Sequence, residues 1–125
     1  MATIVLAEDD AHIIRVVSMW LQQHRHKVYE APNGKRALEL VREKRPELLI
    51  TDVNMPIMTG VELARACAAE GLPTIGTVML TSRCDQNEIR ESVKGINVVF
   101  HPKPFSPSRL VREVQGLIQT SQAVT

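Results

Sequence analysis

Five short runs rich in apolar and β-branched residues alternate with five helical patterns along this chain, and that alternation narrows the fold more than any other feature. The runs cover residues 3–7, 27–30, 48–51, 77–81 and 98–101. Between and after them, apolar residues recur three and four apart. The sets are Ile13, Val17, Trp20 and Leu21; then Ala37, Leu38 and Val41; then Val61, Ala64, Cys67 and Ala68. Ile89, Val93 and Ile96 form a thin stripe, and Leu110, Val111, Val114, Leu117 and Ile118 form a fuller one. A short continuous apolar run rich in β-formers argues a buried strand, and a 3.6-residue period argues helix. Alternating strand and helix predicts an α/β fold, a doubly wound parallel sheet covered on both faces. For five strands the expected order is 2-1-3-4-5, of the flavodoxin-like type, with right-handed crossovers.

Punctuation agrees with these elements. Asp10 and Asn33 stand where helix N-caps are needed, and Thr59 with Glu62 three residues on has the spacing of a capping box. Asp85 with Glu88 marks another helix start, and Ser106 followed by Pro107 marks the last. Pro46, Gly71 and Pro102 end elements. The length of 125 residues suits one domain, expected over residues 1–120, with residues 121–125 a frayed tail or the start of a linker. A net charge of +1, without a basic run, gives no pull toward nucleic acid or a membrane surface. Cys67 and Cys84 lack metal or redox spacing, and the start of the chain lacks the pattern of a signal peptide. No apolar stretch is long enough to span a bilayer, and the two lone cysteines read as a reduced, cytosolic thiol pair, so a cytoplasmic location is expected. His12, His24, His26 and His101 show no ligand spacing and are expected at the surface.

The third run, LLIT, leads directly into Asp52. Burying an isolated carboxylate is costly, so Asp52 must be paired, bound to a metal, or at the wet end of its strand. In an open α/β sheet the carboxyl ends of the strands are where ligands bind. The first strand delivers Glu8 and Asp9 there, the fourth Thr81, and the fifth Lys103 just beyond its end. Three carboxylates in one place repel, and a hard divalent cation such as Mg²⁺ relieves them. Three negative charges are balanced by that cation together with Lys103. Phosphoryl transfer suits such parts. Asp52 is the candidate nucleophile, and Lys103 and Thr81 are candidates to hold phosphoryl oxygens.

With these residues in this order, the chain resembles the receiver domain of two-component response regulators, the CheY-like family. The resemblance rests on LAEDD, on Asp52 in ITDVNMP, on Thr81 in MLTS and on Lys103 in HPKPF, and it spans essentially the whole chain. It implies that Asp52 accepts a phosphoryl group and that Glu8 and Asp9 hold Mg²⁺, with Asp9 the direct ligand. It implies the backbone carbonyl of Asn54 as a further ligand, Phe100 as a switch aromatic beside Thr81, and a cis bond before Pro104. The donor is expected to be a sensor histidine kinase or a histidine phosphotransfer protein. The output is expected on the face formed by the fourth helix, fifth strand and fifth helix, toward an effector domain or a downstream protein. No direct nucleic-acid binding by this domain and no membrane contact are expected.

The chain departs from the family's habits at several positions. Glu8 replaces an aspartate and Ser82 an alanine, Ile96-Asn97 stand in place of a Gly-Ala pair, and Val98-Val99 stand in place of an acidic pair. Three other functions compete with this one. An aspartyl-phosphate hydrolase of the haloacid-dehalogenase type needs an acid two residues after the nucleophile, where this chain has Asn54. A constitutive interaction module would have no use for the full set of site residues. A flavin site would need a phosphate cradle, and the acids after the first strand repel phosphate.

Overall fold

The central strands are buried on both sides, which requires a layer of helices on each face. In the computed structural model, which describes residues 2–81, 86–103 and 106–123, that requirement is met by a (βα)5 arrangement. The elements are β1 (Thr3–Ala7), α1 (Ala11–Gln23), β2 (Lys27–Ala31), α2 (Gly34–Lys44), β3 (Leu48–Asp52), α3 (Gly60–Ala68), β4 (Gly76–Thr81), α4 (Gln86–Ser92), β5 (Val98–Pro102) and α5 (Pro107–Ala123). All pairings are parallel, and the order is β2-β1-β3-β4-β5.

Side chains alternate across a strand, so each central strand feeds two cores. Ile4 and Leu6 of β1, Leu48 and Ile50 of β3, and Val78 and Leu80 of β4 face α1 and α5. There they meet Val17, Leu21, Leu110, Val114 and Ile118. Val5, Ala7 and Leu49 point the other way, onto Ala37, Leu38 and Val41 of α2 and Leu63 and Cys67 of α3. A smaller cluster of Val53, Ala64, Met79 and Val93 lies beside α4, with Phe100 and Val98 of β5 against it. The edge strands β2 and β5 are only partly covered.

The caps form as their sequence predicts. Asp10 Oδ1 accepts from the His12 and Ile13 amides, and Asn33 Oδ1 from the Arg36 amide at 2.8 Å. Thr59 and Glu62 make both bonds of a capping box. After α3 the chain turns through Gly71, whose φ of +73° suits a residue without a Cβ.

Several expectations need correction. His26 is 5 % exposed, not at the surface. Its Nδ1 accepts the Ala2 N–H at 3.1 Å, and its Nε2 donates to Gln115 Oε1 at 2.6 Å. The ring is therefore neutral, and it ties the start of β1 to α5. Burial pushes its pKa below 6.5, and the Gln115 hydrogen bond opposes that shift only in part. His101 is half-buried, with Nδ1 2.8 Å from Glu113 Oε1. α5 continues to Ala123 because nothing in its last turns breaks a helix, so residues 121–123 extend it rather than fray. The unusual Asn97 also finds its reason here. Its amide donates to the Ile75 carbonyl at 2.6 Å and packs on Gly76, which fastens the entries of β4 and β5 together. The cis bond expected before Pro104, the helix start at Asp85, and Ser82 and Cys84 lie outside the described residues.

Candidate functional site

The strand order brings β1 beside β3, with Ala7 opposite Thr51. The next residue on each strand is an acid, so Glu8 and Asp52 become neighbours at the carboxyl edge of the sheet. The alternation that buries Ala7 continues past the strand end, where the Glu8 amide still bonds to the Ala31 carbonyl at 3.0 Å. Glu8 is 1 % exposed, Asp52 is 8 % exposed, and Asp9 faces solvent. One oxygen from each of Glu8, Asp9 and Asp52 lies within 4.8 Å of the others. Asp10 is turned away into its role as the cap of α1.

Lys103 arrives from the far side. Its amide bonds to the Thr81 carbonyl at 2.8 Å just after β5 ends, and its side chain reaches inward. The ammonium nitrogen lies 3.1 Å from Asp52 Oδ1 and 3.3 Å from Glu8 Oε2. Glu8 Oε1 accepts from the Asp10 amide at 3.2 Å, and Asp52 Oδ1 from the Val53 amide at 2.8 Å. Burial first, and then the charge of Asp52, push the Glu8 carboxyl from 4.5 up to about 7. Burial alone would lower the Lys103 pKa, but its bond to Asp52 and the two carboxylate charges overcome this and raise it. One ammonium thus faces more negative charge than it neutralises. An all-oxygen donor set with uncompensated charge fits a hard divalent cation better than a soft metal. Glu8, Asp9 and Asp52 are the residues that could hold it.

The other expected residues flank this cluster. Thr81 is buried at the end of β4, one residue beyond Leu80, which is the register partner of Asp52. Asn54 is exposed in the loop that follows Asp52. Phe100 lies farther along, half-buried against the α4 cluster, and the Arg90 guanidinium sits 4.5 Å above its ring. Phe100, His101, Pro102, Ser106, Arg109 and Arg112 line an open cleft of about 450 Å³ between β5 and α5.

Two supports of the site were not expected. Gly60 opens α3 directly over the strand end, and a Cβ there would overlap the Asp52 carbonyl oxygen. The sequence does carry a signal for this, a glycine closing the loop after the acid. Arg90 had no such signal, because its contact with Phe100 is made between separate elements.

A family model described as the response regulator receiver domain matches residues 4–115. The transcriptional regulatory protein SrrA of Staphylococcus aureus is 28 % identical over 122 residues, which cover 98 % of this chain and 50 % of SrrA. This chain therefore spans about half the length of the curated relatives it matches. Among solved structures, the chemotaxis response regulator CheY4 of Vibrio cholerae superposes with a TM-score of 0.83 at 30 % identity, covering 94 % of this chain and 98 % of that one. The signal receiver domain of a signal transduction histidine kinase from Syntrophus aciditrophicus superposes at 0.83 with 27 % identity, over 96 % of this chain and 92 % of its own.

Proposed function

The chain belongs to the response regulator receiver domain family, and from that premise we propose that Asp52 takes a phosphoryl group from a phosphohistidine and that this modification switches a distant face of the molecule. Receiver domains are signalling modules of two-component systems rather than classical enzymes, and they bind Mg²⁺ at an acidic pocket. The observation that carries the finer reading is Lys103 spanning Asp52 and Glu8 at 3.1 and 3.3 Å beside Asp9.

In this reading Asp52 uses a carboxylate oxygen as the nucleophile. The new O–P bond forms as the P–N bond to the donor imidazole breaks, and the bonding pair leaves on that nitrogen. Glu8, Asp9, Asp52 and the carbonyl of Asn54 would hold Mg²⁺, which when bound would supply positive charge beside the transferring phosphoryl oxygens. Lys103 neutralises another oxygen, and the Thr81 hydroxyl donates to a third. These groups are held by strand ends, so catalysis is mostly positioning and charge stabilisation. The same residues serve only the domain's own phosphorylation and its reversal. Phe100 reports the change to α4, β5 and α5, where the arginine-lined cleft opens.

Residues 1–120 form the receiver, and its last helix runs on to Ala123. The donor is a sensor histidine kinase or a histidine phosphotransfer protein. The output goes to a downstream protein or to an effector domain, as the greater length of SrrA suggests. The site of action is the cytoplasm, and among the described residues no helix is long and apolar enough to cross a membrane.

The test is intact-mass spectrometry after incubation with acetyl phosphate, with and without Mg²⁺. One Mg²⁺-dependent adduct in wild type and none in Asp52→Asn is the expected result. Equal labelling of the variant refutes Asp52 as the acceptor.

A further inference from the structure

The loop from Asp52 to α3 is held at almost every point. Met55 is buried in the core beneath α2 and α3. Met58 lies so close to the first residue of α2 that a Cβ on Gly34 would overlap it. The Gly60 amide bonds back to the Val53 carbonyl at 2.8 Å. Between these anchors Ile57 is pushed outward, and it is 74 % exposed. Among the described residues it and Met19 are the large hydrophobic side chains left in solvent.

The backbone at Ile57 is also unusual. Its φ is +72°, and the Met58 amide bonds to the Pro56 carbonyl at 2.7 Å. Those two facts make Ile57 the centre of a γ-turn of the rare, strained hand. A β-branched side chain is poorly suited to that conformation, whereas glycine or asparagine adopts it readily. The fold gains nothing from isoleucine here. The side chain buries little, strains the turn and exposes apolar surface. A local rule broken without compensation inside the fold points to function outside it.

We propose that Ile57 is an apolar anchor gripped by the protein that brings the phosphohistidine, and so a determinant of which donor this receiver accepts. This rests on the phosphoacceptor reading above. Ile57 lies five residues after Asp52, on a loop at the same edge of the sheet. A partner that seats an imidazole phosphate against Asp52 must cover this rim. A rigid loop presents the side chain without first being ordered, which lowers the cost of docking. A second copy of the chain seated on Ile57 would compete with the donor for the same edge, so the donor is the occupant assigned. Burying an isoleucine in a socket on that partner corresponds to about tenfold or more in affinity.

The test uses a histidine phosphotransfer domain, phosphorylated beforehand and chosen because it labels the wild-type chain, alongside acetyl phosphate. Wild type, Ile57→Asn and Ile57→Leu are compared for KM and kcat toward each donor. Asparagine suits the turn, so the melting temperature of Ile57→Asn is expected to hold or rise, which separates lost docking from lost folding. The expected result is a rise of about tenfold in KM for the protein donor in Ile57→Asn, with kcat little changed and Ile57→Leu close to wild type. The ratio of protein-donor to acetyl phosphate efficiency falls in step. An unchanged KM in Ile57→Asn overturns the proposal. So does an equal loss in Ile57→Leu, an equal loss with acetyl phosphate, or a wild-type dimer that Ile57→Asn dissociates. Asp52→Asn labelled by the protein donor as well as wild type overturns the acceptor reading, and this inference with it.

Discussion

In metal-free solution, replacing Glu8 with glutamine should make the protein more stable above neutral pH. Glu8 is almost wholly buried beside Asp52, and its carboxyl is pushed from 4.5 up to about 7. A carboxyl raised in the folded state keeps its proton where the unfolded chain has lost it. Its contribution to stability is therefore complete below pH 4.5 and is lost as the pH rises through about 7. At about 1.4 kcal/mol per pH unit, that interval sets a ceiling of about 3 kcal/mol on the strain of holding Glu8 ionised. Glutamine removes that charge, and its amide oxygen can still accept from the Asp10 amide. It also removes the 3.3 Å contact with Lys103, which keeps its 3.1 Å contact with Asp52. A partly exposed ammonium loses about 1 kcal/mol there. The net gain for Glu8→Gln is about 1–2 kcal/mol at pH 8 and close to zero at pH 5.

Urea denaturation in EDTA at the two pH values measures it directly. Taking the difference between variant and wild type cancels His26, whose own titration has the opposite slope. With Mg²⁺ the sign should reverse. A cation that stabilises wild type by about 2.7 kcal/mol at a hundredfold excess over Kd loses a ligand in the variant and helps it less. A variant less stable than wild type at pH 8 in EDTA, or a difference that does not change with pH, would refute the electrostatic account of this site.

Two further outcomes follow from the same geometry. His26 should contribute a loss of stability as the pH falls below 6.5, opposite in sign to the Glu8 contribution, because the unfolded chain takes up a proton that buried Nδ1 of His26 resists while it accepts the Ala2 N–H. In His26→Gln that part of the acid slope should vanish, as read by urea midpoints between pH 7 and 5. Gly60→Ala should cost about 1–3 kcal/mol, because its Cβ meets the Asp52 carbonyl oxygen and the loop must shift. It should also slow labelling by acetyl phosphate, and a variant with wild-type stability and rate would show that the loop yields freely.

Much of this molecule was legible before any coordinates. The alternation of short apolar runs with helical periods is local information, and it sets out five strands, five helices and their caps, because hydrophobic faces and orphan amides must be satisfied nearby. The order β2-β1-β3-β4-β5 followed from general rules of crossover and size. That order carries Glu8, Asp9, Asp52 and Lys103 to one edge, so the cluster could be read from which residue follows each strand.

What the tertiary structure alone decided depends on distance between elements rather than on period. Glu8 and Asp9 are adjacent acids, yet one is buried against Lys103 and the other faces water, and only the packed edge tells them apart. His26 looked like a surface residue until β1 and α5 closed over it, and Asn97 looked anomalous until Ile75 came within reach of its amide. The outward thrust of Ile57 belongs to the same class. Nothing in MPIM announces a left-handed turn, because that turn is imposed by a loop pinned from α2 on one side and from Asp52 on the other. Sequence period sets which face a residue takes, but burial, charge and strain arise only where separate elements meet.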